Sequence, residues 1–214
     1  MEMKIIKVDI DCPNKEVIKE VAEVIKNGGV VVIPTDTVYG LTADPFNEKA
    51  MRRVYEIKGR EEGKPLPILL GESHDAFSLV KPSEMFWKLA KAFWPGSLTI
   101  VENLSDNAPS HLSVWGSIGV RLPNCYFCRS IAREVGGAII GTSANISHMK
   151  SPVNVEEAYK MLKDKVDLYI DGGQARIGIS STVVSIINGN LKILREGAIK
   201  EEEIKKILFS KVEK

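Results

Sequence analysis

The chain has 214 residues, 44% hydrophobic and 27% charged, with a formal net charge of +1. That balance suits a globular protein with one large core. It gives no support for a protein that coats duplex nucleic acid, which needs a more basic surface.

Ile5 to Ile10 alternates weakly and reads as a strand. Asn14 can cap a helix from Lys15 to Lys26 that Asn27-Gly28-Gly29 stops, and the β-branched run Val30 to Ile33 reads as a buried strand. Asn47 opens a helix ending near Lys58, and Leu66 to Leu70 is strand-like. Helical stretches follow at His74 to Val80 and Ser83 to Phe93, the second broken by Trp94-Pro95-Gly96. Leu98 to Val101 and Ile118 to Leu122 read as strands. A helix then runs from Asn124 or Cys125 to Val135, stops at Gly136-Gly137, and leads to a short strand, Ala138 to Gly141. Asn154-Val155-Glu156-Glu157 has the form of a capping box for a helix to Leu162 or beyond, and Leu168 to Asp171 is a strand. Thr182 to Ile187 and Leu191 to Leu194 flank Asn188-Gly189, a type I′ hairpin signal, and Lys200 to Phe209 closes the chain as an amphipathic helix.

Strand and helix patterns alternate throughout, with no repeat or linker. The expected fold is α/β: one domain over residues 1–214, with helices packed around a twisted, mixed parallel and antiparallel sheet and a concave ligand cavity. No apolar run approaches the roughly 20 residues that span a bilayer. Met1-Glu2-Met3-Lys4 opens without a signal-peptide apolar segment, so a cytoplasmic protein is expected.

The three cysteines are an odd count, which argues against a disulfide framework. Cys125 and Cys128 form a C-x-x-C pair: a redox dithiol, half of a zinc site, or two buried thiols one helical turn apart. No second C-x-x-C accompanies them, and His74, His111 and His148 are scattered, so no metal site is expected.

No P-loop, dinucleotide fingerprint, nucleophile elbow or H-E-x-x-H motif occurs. Two polar clusters stand out instead. Lys58, Arg60 and Lys64 lie between a helix and a strand, with Gly59 and Gly63 free to turn the backbone so that the cations converge. A solvated, self-compensating loop is the plainer reading, since Glu61 and Glu62 sit among them. Gly141-Thr142-Ser143-Ala144-Asn145 follows a buried strand, and its small residues could expose backbone N–H groups as an anion-binding nest. Together the clusters describe a pocket for a phosphorylated ligand. Pro34 to Gly40 follows a strand end, where α/β folds place ligand contacts, although Thr and Asp there also serve ordinary turns. Arg121 interrupts an apolar strand; a structural salt bridge is the default, a carboxylate-binding arginine the sharper alternative. Ser180-Ser181-Thr182 and Arg195 flank the hairpin and could line the same cleft.

The blocks Pro34-Thr35-Asp36-Thr37-Val38-Tyr39-Gly40-Leu41, Lys58-Gly59-Arg60, Lys64-Pro65-Leu66 and Trp94-Pro95-Gly96-Ser97-Leu98-Thr99 extend over the first half of the chain. Val120-Arg121-Leu122-Pro123, Ser143-Ala144-Asn145 with Ser151-Pro152, Ile170-Asp171-Gly172-Gly173, Ser180-Ser181-Thr182-Val183 and Leu194-Arg195-Glu196-Gly197 continue the series. In this order they resemble the YrdC-type threonylcarbamoyl-AMP synthases. The resemblance implies a nucleotidyltransferase that joins L-threonine, bicarbonate and ATP, the last with Mg2+, into threonylcarbamoyl-AMP and pyrophosphate. The product would pass to a downstream threonylcarbamoyl transferase complex that modifies tRNA. By matching position, the resemblance implies a catalytic set of Lys58, Arg60, Ser143 and Asn145. It implies further ATP contacts from Lys64, Ser117, Ser151 and Arg195, and threonine contacts from Thr35, Arg121, Gly141 and Ser181. The rival reading is a non-enzymatic RNA-binding module with a basic cavity, against which stands an aromatic content of 7%. A carbamoyl transferase role, as in hydrogenase-maturation proteins with a similar domain, is a further rival, but their additional acylphosphatase-like and zinc segments have no match here.

Overall fold

The computed structural model describes residues 4–113 and 115–209. Strand β1 (Ile5–Lys7) is shorter than its alternation suggested and leads to helix α1 (Lys15–Lys26). Asn14 caps α1 by accepting the Glu16 amide at 2.8 Å, while Ile18, Val21 and Ile25 form its buried stripe. β2 (Val31–Ile33) is followed by β3 (Gly40–Thr42), then α2 (Glu48–Lys58), which Asn47 caps through the Ala50 amide. The chain continues through β4 (Ile68–Leu70), α3 (Glu84–Phe93), β5 (Leu98–Asn103), β6 (Ser117–Arg121), α4 (Tyr126–Val135), β7 (Ala138–Ile140) and β8 (Thr142–Ser143). It ends with α5 (Val155–Leu162), β9 (Leu168–Asp171), β10 (Thr182–Ser185), β11 (Lys192–Arg195) and α6 (Glu201–Phe209). The stretch expected as a helix from His74 to Val80 is 3-10 helix over Ser73–Ser78.

The strands are divided between two mixed sheets where one was expected. Among the described residues, one sheet has the order β1-β9-β2-β3-β8 and the other β11-β10-β5-β6-β4-β7. β3 was not foreseen, because Gly40-Leu41-Thr42 continues a polar turn. It pairs antiparallel with β2 and gives β8 an edge to join. The expected hairpin is present, but its turn is wider than two residues. Asn188 and Gly189 both take positive φ, 55° and 73°, as Asn-Gly favours, yet the ladder resumes only at Ser185 opposite Lys192. Ile186 is buried in the main core, which diverts the chain before the turn closes.

Period-two alternation explains where the core and the site lie. On β2, Val32 enters the large core between the sheets, while Val31 and Ile33 face α1 and α4 in a second cluster. On the second sheet, Leu98 and Ile100, Ile118 and Val120, and Thr182 and Val184 are buried, the apolar ones in the large core. The intervening residues, Thr99 and Val101, Ser117, Gly119 and Arg121, and Ser181 and Val183, line a cavity on the opposite face.

Candidate functional site

The cavity holds about 620 Å³. Its floor is the outer face of β5, β6 and β10. Its walls come from the segment after β2, the end of α2, the turn at residues 141–148, and the Leu194-Arg195 end of β11. A volume of that size suits a drug-sized or nucleotide-sized ligand.

Helix α2 delivers the first cluster. Gly59 ends the helix in the left-handed conformation, φ 57° and ψ 41°, and its amide returns to Glu56 O. Gly63 also takes positive φ, so the 58–64 segment curls back on itself as its glycines suggest. Lys58 is only 3% exposed. Its ammonium donates to Ser143 O at 2.5 Å, Asn145 O at 3.0 Å and Asn145 Oδ1 at 3.1 Å. Three donors meet three acceptors, so Lys58 is fully engaged with the opposite wall. Burial, with the charge of Arg60 beside it, pulls Lys58 down to about 7. Arg60 is different. It makes one hydrogen bond, Nη2 to Pro65 O at 3.2 Å, and no carboxylate pairs with it among the described residues. Lys64 is half exposed and paired with Glu61 at 2.9 Å.

The second cluster faces the first directly. Ser143 Oγ donates to Asn145 Oδ1 at 2.6 Å, and Asn145 Nδ2 donates to Met149 O at 2.5 Å. The Ser147 amide donates to Lys58 O at 2.9 Å, tying this turn to α2 a second time. The anion-binding nest expected here is absent. The Gly141 amide donates to Pro67 O, Ala144 to Tyr39 O and Asn145 to Ser143 O, because Thr142-Ser143 joins β3 as an edge strand. Side-chain groups, rather than backbone N–H, are what this wall offers. Gly141 is required by close approach: a Cβ there would fall 2.3 Å from Leu69 Cγ. Gly141→Ala should therefore destabilise the protein by about 1–3 kcal/mol, measured by urea unfolding, as Leu69 is driven aside. An unchanged midpoint would show that the leucine has room to move.

Arg121 is buried, and its default partner is present. Nη2 pairs with Asp36, Nη1 donates to Thr37 Oγ1 at 3.0 Å and Nε donates to Gly96 O at 3.0 Å. Thr35 Oγ1 donates to Val38 O at 2.6 Å and accepts the Thr37 amide at 3.1 Å, so it builds its own turn while lining the cavity. Arg195 uses Nε and Nη2 on Ser181 O, at 3.1 and 2.8 Å, and Ser181 Oγ lies 2.9 Å from Thr99 Oγ1. Burial, then Arg121 and Arg60, lower the pKa of Arg195, which has no carboxylate partner among the described residues.

Lys58, Arg60, Lys64, Ser117, Ser143, Asn145, Arg195, Thr35, Arg121, Gly141 and Ser181 thus line one hollow. Ser151 does not; its hydroxyl lies 3.4 Å from that of Ser180, which does. Thr37 and Ser180, from two segments expected near the ligand, also line it; Thr99 and Gly119 line it too and were not singled out from sequence. Alternation along the Leu98 to Val101 strand carried the signal for Thr99, which sits between two core residues. Besides Lys64, which is paired with Glu61, four cations reach the cavity, Lys58, Arg60, Arg121 and Arg195, and the buried carboxylate that answers them is Asp36. Such a site attracts anions.

The C-x-x-C pair packs inside the molecule. Both thiols are buried and free, Cys125 caps α4, and Cys128 Sγ donates to Pro34 O at 3.0 Å. Among the described residues, no group of three or more His, Cys, Asp or Glu could hold a metal ion, and no helix is long and apolar enough to cross a membrane.

The family model described as "Sua5_yciO_yrdC: Telomere recombination" matches residues 23–197. A Methanocaldococcus jannaschii protein, named provisionally as a threonylcarbamoyl-AMP synthase, is 36% identical over 191 residues, 87% of this chain and 90% of that protein. The threonylcarbamoyl-AMP synthase of Bacillus subtilis is 33% identical over 198 residues, 91% of this chain and 57% of that enzyme. Among solved structures, P. abyssi Sua5 complexed with L-threonine superposes with a TM-score of 0.90 and 32% identity, over 98% of this chain and 61% of that one. The chain therefore spans little more than half the length of the Bacillus and Pyrococcus proteins.

Proposed function

Because this chain belongs to the Sua5–YciO–YrdC family, we propose that it makes threonylcarbamoyl-AMP and pyrophosphate from L-threonine, bicarbonate and ATP. One observation carries the reading: beyond the Lys64–Glu61 pair, four more cations converge on a cavity of about 620 Å³ against a single buried carboxylate. The reaction brings together a triphosphate, a carbamate and an amino-acid carboxylate, so it needs that surplus of positive charge.

In this reading the carbamate formed on the threonine nitrogen attacks the α-phosphorus of ATP, and pyrophosphate leaves. Arg60 and Arg195 hold phosphate oxygens, since their guanidinium groups have no carboxylate partner. Lys58 acts by fixing Ser143 and Asn145, and it adds positive charge behind them. Ser143 and Ser117 offer hydroxyls to the nucleotide. Lys64 reaches it from the rim after leaving Glu61, and Ser151 contributes through Ser180. Thr35, Arg121, Gly141 and Ser181 surround the threonine, with Arg121 held in place by Asp36 and Thr37. The enclosed floor protects the mixed anhydride from water. ATP enters as its Mg2+ complex. The buried carboxylate at the site, Asp36, is engaged by Arg121, so the ion would be held by phosphates and water. The product passes, in the cytoplasm, to a downstream threonylcarbamoyl transferase complex and so to tRNA.

The test is direct. Protein mixed with ATP, magnesium, bicarbonate and L-threonine should yield threonylcarbamoyl-AMP by mass spectrometry, with much less adduct when serine replaces threonine. Absence of a threonine-dependent adenylate would refute the assignment.

A further inference from the structure

The cysteine pair stands outside the chemistry above, yet it touches the cavity wall. Cys125 is the N-cap of α4 and Cys128 lies one turn on, with the Cys128 amide donating to Cys125 Sγ at 3.5 Å. Residues three apart in a helical turn hold their Cβ atoms roughly 5–6 Å apart, whereas a disulfide spans about 3.5–4.5 Å at Cβ, so closing the bond draws in the backbone at the start of α4 rather than changing χ alone. Both sulfurs meet the same acceptor: Cys128 Sγ is 3.0 Å and Cys125 Sγ 3.9 Å from Pro34 O. Pro34 opens the segment that continues through Thr35 and Thr37, both lining the cavity. The same helix start holds that segment a second time, through the Asn124 amide on Asp36 Oδ2 at 3.2 Å.

We propose that Cys125 and Cys128 form a reversible dithiol–disulfide switch that loosens the Pro34–Gly40 wall of the cavity when oxidised. The oxidant is a low-molecular-weight disulfide. Because both cysteine sulfurs are buried, the start of α4 must open before the Cys125 thiolate attacks one sulfur of the oxidant and expels a thiolate. Cys128, deprotonated, attacks Cys125 Sγ, expels the second thiolate and closes the Cys125–Cys128 bond. Two S–H bonds are lost, one S–S bond forms, and the external disulfide takes up both electrons and both protons. The reactivities differ in the required sense. The Cys128 hydrogen bond holds the Cys125 thiol below its ordinary value, whereas burial pushes Cys128 well above. Once bridged, neither sulfur has a proton to donate, and the buried Pro34 carbonyl loses its thiol donors. The wall then shifts to find another partner.

The experiment uses the full chain carrying Cys12→Ser, because Cys12 is exposed and would react on its own. The protein is equilibrated across ratios of reduced to oxidised glutathione. Free thiols are alkylated, and each sample is read by peptide mass and by hydrogen exchange over residues 34–40. The expected result is one transition to a Cys125–Cys128 bridge, with exchange at Thr37 and Val38 rising on the order of tenfold. Cys128→Ser keeps a donor for Pro34 and should abolish both changes; Cys125→Ser serves if that variant does not fold. Two alkylatable cysteines at the most oxidising ratio would overturn the proposal. So would a bridge that leaves exchange in the segment unchanged.

Discussion

Arg60→Ala should lower threonine-dependent adenylate formation by about 10²–10³-fold, a loss typical of removing a preorganised donor from a developing charge. Stability should change little, by roughly 0.5 kcal/mol, because the side chain gives up a single hydrogen bond to Pro65 O and has no ion pair among the described residues. Arg60→Lys should recover only part of the rate, since an ammonium keeps the charge but loses the two-pronged geometry. Steady-state pyrophosphate release alongside urea unfolding separates these terms. Near-normal turnover in Arg60→Ala would remove this residue from the phosphate site. The variant has a second, independent readout. Arg60 lowers the pKa of Lys58, so its removal should let the lysine titrate at higher pH.

Lys58 itself leads to the second large effect. Its folded pKa of about 7 lies far below its ordinary 10.5. Between those values the unfolded chain keeps a proton that the folded chain has released, so folding stability rises with pH across that window. The penalty for burying the charge is present in full below pH 7 and fades above it. The slope should approach about 1.4 kcal/mol per pH unit in the middle of the window. Lys58→Met should lack this component, and subtracting its urea-derived stability profile from that of the unmodified protein isolates it. Anions reverse the trend, because phosphate favours the ammonium. At pH 8, calorimetry in buffers of different ionisation enthalpy should show up to one proton taken up per ATP bound, and less in Lys58→Met. Equal proton uptake in both would show that the lysine does not sense the nucleotide. Lys58→Met also strands three oxygen acceptors, two on Asn145 and one on Ser143. Turnover should fall with it by at least 10²-fold, on the same scale as loss of an oriented donor.

The sequence made local structure visible where one residue enforces it. Asn14, Asn47, Ser83 and Asn154 each cap the helix they were expected to open or precede, and Gly59 takes the left-handed turn its position required. The juxtaposition of Lys58 with Ser143 and Asn145 was also foreseeable from two polar clusters that packing alone does not explain. What each group does there was not. Arg121 has its carboxylate 85 residues away at Asp36, and no local pattern announces such a partner. The supposed nest disappeared because β8 pairs with β3, a strand disguised as a turn until β2 provides its neighbour. Dividing the strands into two sheets is likewise a matter of nonlocal pairing. β5 lies between β6, next in the chain, and β10, some eighty residues later. Ser151 does not line the hollow itself; it reaches the wall only through Ser180, 3.4 Å away.

The division of labour along β5, β6 and β10 has one more consequence. Over residues 98–101, 117–121 and 181–184, every second residue goes to the molecule's interior and the remainder to the hollow. Val101 and Val183 can therefore be exchanged for side chains of other shapes while Leu98, Ile100 and Val184 keep their packing, whereas Thr99 is held by its hydrogen bond to Ser181. Altered substrate preference is accordingly to be sought at those two sites, in libraries that leave the scaffold untouched.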